Sequence, residues 1–249
     1  MYTFFKKILF SIFPIKSIYR YELFFRFFYY LLFIGRGFHC VVCKANLRQF
    51  IDNKKELFCP KCGSIGRTRR LWDIIEKEFL KENNKILDIS PSRHIYRAFK
   101  KKNENYIASD LSGNFLSDEK YDITNIPIID NSFDLIICYH VLEHIEKDIK
   151  AMHELIRVLN PNGFCIIQTP FKTGVIYENE SIKTEKEREK HFGQSDHVRI
   201  YSVNGLISRL ESVGFNVEKR DFFENKINSK GFCEAETILI CSKPSTSDS

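Results

Sequence analysis

The sequence contains no apolar run that is long enough to cross a bilayer. A membrane-spanning helix needs about 20 apolar residues, whereas the densest run, residues 23–34, is twelve residues long and includes Arg26. The amino-terminal region has no small-residue cleavage site, and its helix-like pattern continues past Arg20, so we expect no secretory signal peptide. No internal repeat appears either. These absences argue against a spanning, a secreted and a repeat protein, and they predict a cytoplasmic location.

Charge is distributed unevenly along the 249 residues. The net charge of the chain is +6, but residues 1–38 carry +5, residues 39–72 carry +6 and residues 73–249 carry −5. A hydrophobic fraction of 43% is sufficient for a large core and argues against global disorder. The length suits one large domain or two unequal ones. The uneven charge predicts at least two parts with different partners.

Residues 1–38 combine aromatic and basic side chains. They hold 15 of the 35 aromatic residues, interleaved with six lysines and arginines. One interpretation is an amphipathic segment that binds an anionic membrane peripherally, on its inner face, with the rings at the headgroup boundary. The other is a helix that covers an apolar groove of the domain behind it. The composition fits both interpretations.

Two C-x-x-C pairs lie within residues 39–72. Fifteen residues separate the pairs, and Gly63 follows the second one. This spacing predicts a zinc-ribbon-like module in which four thiolates bind one Zn²⁺ at about 2.3 Å. The predicted ligands are Cys40, Cys43, Cys59 and Cys62. Two disulfides are the disfavoured alternative, because no secretion signal directs the chain to an oxidising compartment.

The remaining cysteines, and three arginines close to the cysteine pairs, are not predicted to bind the metal. Four cysteines lie in apolar, strand-like runs and are predicted to be core thiols: Cys138, Cys165, Cys233 and Cys241. Three arginines follow the second cysteine pair and are candidates either for phosphate contact or for a solvated face: Arg67, Arg69 and Arg70.

From Trp72 onward, strand and helix signals alternate. Apolar runs that end near residues 89, 108, 138 and 169 read as strands, with helical patterns between and after them. Such alternation predicts an α/β fold with a Rossmann-like, doubly wound, mostly parallel sheet. The last two strands lack a helical pattern between them, so an antiparallel edge strand is expected. This domain is predicted to span residues 73–243, followed by a disordered tail at 244–249.

One helical pattern follows the third strand. Apolar residues recur on one face from Ile149 to Leu159, and the sequence Asn-Pro-Asn-Gly then predicts the end of the helix. We expect this helix to open at His140, directly after the strand. Polar groups at the carboxyl end of a buried strand are typical of ligand sites in open α/β sheets.

Several motifs of this region occur in a characteristic order. Asp88 and Asp110 close two strands, and HVLEHI (140–145), ELIRVLNPNGF (154–164) and GQSDHVRIYS (193–202) follow. In order and spacing, residues 85–240 resemble class I S-adenosylmethionine-dependent methyltransferases of the type 11-like group. They are most similar to a bacterial subgroup with an amino-terminal four-cysteine module. The resemblance implies S-adenosyl-L-methionine as the cofactor and methyl transfer as the reaction.

The resemblance also implies which residues bind the cofactor. Asp110 matches the carboxylate that holds the ribose hydroxyls, and it follows the first strand-end aspartate by 22 residues, near the offset of about 20 in nucleotide-binding folds. Asp122 with Ile123 matches the position beside the adenine ring. Tyr139 and His140 fall where the chain passes the methionine end. Taken singly, the aspartates would be ordinary strand-end or capping carboxylates.

The loop after the first strand departs from the family pattern. The family reads Asp-x-Gly-x-Gly-x-Gly there, and glycine allows the backbone to approach the cofactor closely. This chain reads DISPSRH (88–94), without a glycine. Asp88 still matches the first position, and Ser90 is small enough to replace the first glycine. A degenerate, non-catalytic homologue is therefore an alternative to an active enzyme.

Histidines lie where methyl donor and acceptor would meet. Methyl transfer to a hydroxyl needs a base that removes the hydroxyl proton, and histidine is the commonest choice. His140 is the first candidate for this catalytic role and His197 the second. His191 and Asp196, in the same later loop, are rivals.

Glu143 and His144 allow two interpretations. Matching residues bind a divalent ion in some hydroxyl methyltransferases, so a metal site is one of them. The other is that the two residues shape the cofactor pocket and cap the following helix.

We expect the acceptor to be a hydroxyl or amine of a small-molecule, glycan or lipid-linked compound. The sequence has neither an Asn-Pro-Pro-Tyr run after the strand nor a Pro-Cys nucleophile, which disfavours amide, adenine and cytosine-carbon methylation. The alternative is an RNA methyltransferase whose zinc module binds RNA. RNA enzymes usually carry positive potential around the catalytic mouth, whereas residues 73–249 carry −5. Nucleic acid is therefore the less favoured partner.

Overall fold

The computed structural model describes residues 15–52, 56–225 and 228–244. The chain divides into two units: the first comprises Met1–Glu78 and Glu224–Glu234, the second Phe79–Phe223 and Ala235–Ser249. The first unit takes in residues 73–78 and 224–234, which the sequence had assigned to the α/β domain. The first 14 residues of the aromatic segment and all but the first residue of the predicted tail lie outside the described residues.

The first unit contains short antiparallel hairpins and two helices in its described part. The helices are α1 (Ile15–Leu31) and α2 (Gly66–Ile74). The paired strands are β1 (Ile34–Cys40) with β2 (Ala45–Leu47), and β3 (Ile51–Asp52) with β4 (Leu57–Phe58). The first C-x-x-C pair lies at the turn between β1 and β2, and the second follows β4. A π-helical turn, Ile75–Phe79, continues α2.

Arg69 is the central side chain of the first unit. It has no exposed surface, and its guanidinium donates hydrogen bonds to four backbone carbonyls, those of Leu57, Ser64, Lys230 and Gly231. These carbonyls belong to β4, to the turn after the second cysteine pair and to the segment 224–234. One buried cation thus joins three separate parts of the chain, because a buried charge needs hydrogen-bond partners on every side.

The arginines near the cysteines are mostly interior. Arg70 is buried and pairs with Glu224, whereas Arg67 is partly exposed and lies 2.5 Å from Glu56. The prediction of a phosphate-contacting or solvated face is therefore wrong for Arg69 and Arg70. It failed because their partners in the segment 224–234 are more than 150 residues away along the chain.

The second unit is built on a six-stranded sheet. Its strands are β5 (Ile86–Ile89), β6 (Tyr106–Ser109), β7 (Phe133–Tyr139), β8 (Leu159–Gln168), β11 (Asn216–Phe223) and β12 (Ala235–Ser242). They are ordered β11-β12-β8-β7-β5-β6, with β5 to β8 parallel and β12 antiparallel to both of its neighbours. The mostly parallel, doubly wound sheet with an antiparallel edge pair is confirmed. A separate two-stranded antiparallel sheet pairs β9 (Tyr177–Glu178) with β10 (Arg199–Ile200).

The helices α3 (Arg93–Lys100), α4 (Asp148–Val158) and α6 (Val203–Ser212) bury apolar side chains in this unit. The helix α5 (Glu185–Phe192) is mostly exposed, and of its residues only Phe192 is buried. On α4, Met152 and Leu155 point into the same core as Leu206 and Leu210 of α6, and all four are fully buried. This helical spacing is the pattern seen in the sequence.

Three of the four predicted core thiols lie in this sheet. Cys138, Cys165 and Cys241 are fully buried in β7, β8 and β12. Cys233 lies instead in the segment 224–234 of the first unit and is only half-buried. The sequence predicts a strand that includes Cys233, because its neighbours are apolar. In the structure this strand begins two residues later, at Ala235.

The helix predicted to open at His140 begins at Asp148 instead. His140 has a φ of +58°, a left-handed conformation that a right-handed helix excludes. A single 3₁₀ turn, Leu142–His144, follows. The polar residues of the HVLEHI motif therefore lie in a loop outside the carboxyl end of β7.

We expect Arg69→Lys to destabilise the first unit by about 3 kcal/mol, because an ammonium replaces a planar guanidinium and leaves buried carbonyls without donors. The measurement is urea unfolding followed by the fluorescence of Trp72, the only tryptophan of the chain, which is buried in this unit. Arg67→Lys is the matched control, since a partly exposed ion pair is worth about 0–1 kcal/mol. Equal unfolding midpoints for the two variants would contradict the central role of Arg69.

Candidate active site and cysteine cluster

Parallel strands bring polar residues to one edge of the sheet in the second unit. Ile89 of β5 is in register with both Ser109 of β6 and Cys138 of β7. The chain passes from β5 to β6 on one side and returns to β7 on the other, so β5 borders the point where the strand order reverses. Open α/β sheets bind ligands outside the carboxyl ends of strands at such a point. Ser90, Asp110 and His140 follow these three strands directly.

Ser90 and Asp110 contact each other at this edge. The Ser90 hydroxyl donates to Oδ1 of Asp110 over 2.9 Å, and Ser90 has a φ of +50°, a conformation that favours glycine. The backbone at Ser90 thus has a conformation that a glycine would adopt readily. Asp110 is 2% exposed and also accepts hydrogen bonds from the Ser112 hydroxyl and the Phe115 N–H. Both of its carboxylate oxygens thus accept hydrogen bonds within the protein, and its role as acceptor for the ribose hydroxyls stays a prediction.

Asp88 is enclosed by the sheet. Its carboxyl group is 2% exposed and accepts a hydrogen bond from the Tyr106 hydroxyl over 2.9 Å. Burial raises the pKa of Asp88 to about 8, and the Tyr106 hydrogen bond offsets only part of that shift. The Tyr106 ring in turn stacks on Phe99 at a centroid distance of 4.6 Å. The cofactor role of Asp88 stays a prediction, and the described contacts of its carboxyl group are internal.

The residues predicted beside the adenine and the methionine have other contacts. Asp122 is exposed, and hydrogen bonds from the Thr124 N–H and hydroxyl, both 2.8 Å long, lower its pKa. Ile123 is part of the apolar core. The Tyr139 hydroxyl donates to the Glu236 carboxylate. The cofactor contacts of these residues stay predictions.

Glu143 is a buried carboxylate that lacks a hydrogen-bond donor in the described part of the chain. It is 1% exposed, and neither carboxylate oxygen accepts a hydrogen bond. Nδ1 of His140 lies 3.3 Å from one of these oxygens, within ion-pair range but without hydrogen-bond geometry. Nε2 of His140, Oε1 of Gln168 and the Thr169 hydroxyl are likewise buried without described partners. Each such group costs about 1–3 kcal/mol, so their grouping at the ends of β7 and β8 indicates a ligand site.

His197 joins Glu143 and His144 in one cluster. A ligand atom from each of the three residues lies within 4.8 Å of the other two. The rings of His144 and His197 meet edge to face, 4.7 Å apart. Burial, reinforced by the neighbouring His144, lowers the pKa of His197, so its imidazole is neutral at neutral pH, the form that binds metal ions. The other two rivals lie elsewhere or at the rim: His191 contacts the Tyr177 hydroxyl at 2.8 Å, and Asp196 contacts His144 at 3.2–3.3 Å.

Arg199 fixes the turn that carries this cluster. It is 5% exposed and donates to the backbone carbonyls of the turn, those of Leu142, Ile145 and Glu146. The N–H of Val198 donates to the Glu143 carbonyl over 2.9 Å. These bonds place His197 against His144. Sequence reasoning missed Arg199, although the GQSDHVRIYS motif contained it two residues after His197.

The four predicted zinc ligands converge in the first unit. Sγ of Cys40 lies 3.7 Å from Sγ of Cys62, and Sγ of Cys43 lies 3.7 Å from Sγ of Cys59. All four sulfurs lie within 4.8 Å of one another. A tetrahedron with Zn–S bonds of about 2.3 Å has edges of about 3.8 Å. The donor type and the spacing therefore fit one tetrahedral metal ion.

Neighbouring groups support the cysteine cluster. The buried Ser64 hydroxyl lies 3.3 Å from Sγ of Cys40 and 3.2 Å from Sγ of Cys62. A hydrogen bond from the Cys43 thiol lowers the pKa of Cys40, whereas burial raises the pKa of Cys62. Gly63 has a φ of +80°, a left-handed conformation that favours glycine in this turn.

Comparison with known families and proteins agrees with this geometry. A family described as a methyltransferase domain matches residues 65–220. An uncharacterised protein of Methanocaldococcus jannaschii is 32% identical over 133 residues, which are 53% of this chain and 48% of that protein. The mitochondrial arginine-hydroxylase NDUFAF5 of Rattus norvegicus is 29% identical over 53% of this chain and 37% of its own length. The match thus spans less than half of each curated relative.

A solved structure shows the same fold. The crystal structure of an S-adenosylmethionine-dependent methyltransferase from Archaeoglobus fulgidus superposes with a TM-score of 0.52 at 16% identity. It covers 71% of this chain and 91% of that one. At this level of identity the similarity concerns the fold of the sheet and its helices.

Removing the Asp110 carboxylate should weaken S-adenosylmethionine binding about ten- to a hundredfold, because ribose hydroxyls lose a charged acceptor. Calorimetry on wild type, Asp110→Ala and Asp130→Ala measures this. Asp130 is the matched control, since its side chain is 68% exposed and pairs with Arg157. Unchanged affinity in Asp110→Ala would place the ribose elsewhere.

Proposed function

The chain belongs to the methyltransferase-domain family and is an S-adenosylmethionine-dependent methyltransferase, and from this premise we propose that it methylates a hydroxyl or amine of a small-molecule, glycan or lipid-linked acceptor. The hydroxyl is favoured. The observation that carries this proposal is the buried Glu143 carboxylate, without described hydrogen-bond donors, beside His140, His144 and His197. An amine can attack a sulfonium as the free base, whereas a hydroxyl must lose its proton as it reacts.

His140 is the proposed general base. Its ring lies at the carboxyl end of β7, and its Nδ1 atom is 3.3 Å from Glu143. A carboxylate at this distance would stabilise the imidazolium that forms when the histidine takes a proton. The left-handed backbone at His140 costs about 1–2 kcal/mol. This strain is consistent with a position selected for where it directs the ring.

Glu143, His144 and His197 would hold a divalent cation. Their ligand atoms lie within 4.8 Å of one another, and an ion would provide the partner that the Glu143 carboxylate lacks. Bound there, it would supply Lewis-acid stabilisation of an acceptor oxygen. His197 is grouped with these ligands in the structure, so its proposed role shifts from base to ligand, and His140 remains the base.

The charge of the chain supports a compound other than RNA as the acceptor. Residues 73–249, which contain the candidate active site, carry −5, whereas binding of a polyanion is driven by lysines and arginines that neutralise its phosphates. The RNA alternative places recognition on the basic first 72 residues. The non-catalytic alternative attributes the buried polar groups to a ligand that is bound but not methylated.

The test is methyl transfer from radiolabelled S-adenosylmethionine to fractionated cell extracts. We expect label in a small-molecule, glycan or lipid fraction that is resistant to ribonuclease and to mild alkali, as an ether is. Label in RNA would establish the alternative enzyme, and no label in any fraction despite measurable cofactor binding would support the non-catalytic homologue.

Glu143→Gln should lower the turnover number about a hundredfold or more in the same assay while cofactor affinity changes little. Glu146→Gln is the matched control, because Glu146 lies in the same loop with a side chain that is 74% exposed. Similar turnover in both variants would remove Glu143 from the proposed machinery.

We also propose one structural Zn²⁺ on the four cysteines. Metal analysis after chelator-free purification should give about one equivalent, and Cys59→Ser should release it and unfold the first unit, as structural zinc stabilises its own module. The unfolding is followed by Trp72 fluorescence. Cys233→Ser, a half-buried cysteine of the same unit outside the cluster, should retain the metal. Wild-type protein with far less than one equivalent would refute the site.

A further inference from the structure

Helix α1 has an inverted amphipathic arrangement. The less exposed positions of its described side chains include Glu22, Arg26 and Tyr30, which are spaced four residues apart on one face. The side chains of Glu22 and Arg26 are only 14% and 21% exposed and form an ion pair of 3.0 Å. Arg26 also approaches the Pro60 carbonyl at 3.5 Å, and the Tyr30 hydroxyl approaches the Asn46 carbonyl at 3.5 Å. The helix therefore directs polar groups towards its own unit.

The opposite side of α1 is apolar and exposed. Phe24, Phe25 and Phe28 have exposed fractions of 59%, 66% and 54%, and the surface continues through further large side chains: Tyr21, Leu23, Phe27, Tyr29, Leu31, Leu32 and Ile34. We call this set the aromatic face. Phe24 stacks edge to face on Phe25 and Phe28, at centroid distances of 5.6 and 5.0 Å. A helix in water normally buries such a stripe, and contiguous exposed patches of this kind mark interaction surfaces.

This arrangement bears on the two interpretations of the aromatic segment. A helix that covers an apolar groove would bury its phenylalanines, but no described part of the first unit covers the aromatic face. Among the described helices, none is both long and apolar enough to cross a bilayer. A 17-residue helix is about 26 Å long, which is suitable for lying in the plane of an interface.

The charges around the aromatic face indicate which kind of partner it binds. Glu22 is the only acidic residue among residues 1–38, and it is paired with Arg26 on the inner side. Arg36 and Arg48 are exposed, and the Arg48 guanidinium lies 5.5 Å from the ring of Phe33. The face thus lacks carboxylates and is bordered by cations. Phenylalanine rings at the acyl boundary with arginines at the headgroups are the composition of an interfacial anchor for anionic lipid.

We propose that the aromatic face of α1 binds the surface of an anionic membrane and holds the enzyme there without spanning it. A second copy of the chain is the less suitable occupant, because it would bring two strongly basic modules together. RNA is less suitable as well, since a site for single-stranded RNA combines stacking rings with a positively charged groove, and the residues of the aromatic face include no lysine or arginine. The proposal does not depend on the identity of the methyl acceptor, and its test does not measure methyl transfer.

The experiment is flotation of the full-length protein with vesicles. One set contains phosphatidylglycerol in phosphatidylcholine, and the other contains phosphatidylcholine alone. We expect flotation with the anionic vesicles, much less with the neutral ones, and a decrease with added salt, since salt screens charges beyond about 8 Å at physiological ionic strength. Failure to float with anionic vesicles overturns the proposal.

A pair of variants distinguishes vesicle binding through the aromatic face from non-specific binding through any exposed aromatic ring. The double variant Phe24→Ser, Phe28→Ser should reduce anionic-vesicle binding at least tenfold with an unchanged Trp72 unfolding curve, because both rings are exposed and contribute little to the fold. Phe223→Ser removes an aromatic ring that is 76% exposed in the second unit and should bind as wild type does. Equal binding by the double variant overturns the proposal. So does sedimentation analysis in which the same double variant abolishes a wild-type dimer, or binding of single-stranded RNA in place of vesicles.

Discussion

The guanidinium of Arg199 is the contact on which the candidate active site depends. It is buried, and its two terminal nitrogens donate hydrogen bonds to the backbone carbonyls of Leu142, Ile145 and Glu146. A buried cation is tolerated only where acceptors surround it, so burial of Arg199 requires these carbonyls to point towards its guanidinium. His197 lies two residues before Arg199, and its position is set by the same anchor. The cluster of one glutamate and two histidines therefore follows from how a single arginine is buried.

The first unit uses the same principle with Arg69. Four carbonyls from three segments converge on its guanidinium, and one of them, that of Ser64, lies two residues after Cys62. Burial lowers the pKa of Arg69, while the negative charge of the nearby cysteine thiolates acts in the opposite direction. A zinc ion with four thiolates carries net negative charge, so a buried cation beside it is electrostatically favourable. Metal binding and the burial of Arg69 would thus stabilise each other.

The sequence predicted those features that arise from local pattern. Apolar runs gave the strands, the C-x-x-C spacing gave the cysteine cluster, and Asp110 was placed at a strand end where it indeed lies. Features that depend on long-range contacts were missed. Arg69 and Arg70 find partners in the segment 224–234, and the loop before α4, which begins at Asp148, is bonded to Arg199 more than 50 residues further along the chain. Periodicity also shows that a helix has two faces, but not which one is directed inward, and on α1 the usual direction is reversed.

The loop after β5 lacks the glycines of the family pattern. At Ser90, which replaces the first of these glycines, the cost in conformational free energy is small. Ser90 adopts a φ of +50°, and a left-handed residue other than glycine costs about 1–2 kcal/mol. Its hydroxyl bonds to Asp110 over 2.9 Å, so the side chain that glycine would lack is engaged with the very carboxylate expected to hold the ribose. This cost is small enough for the fold to bear, and it leaves Ser90 in a conformation that glycine adopts readily. At Ser90 the absence of glycine therefore affects the stability of the loop more than its backbone conformation.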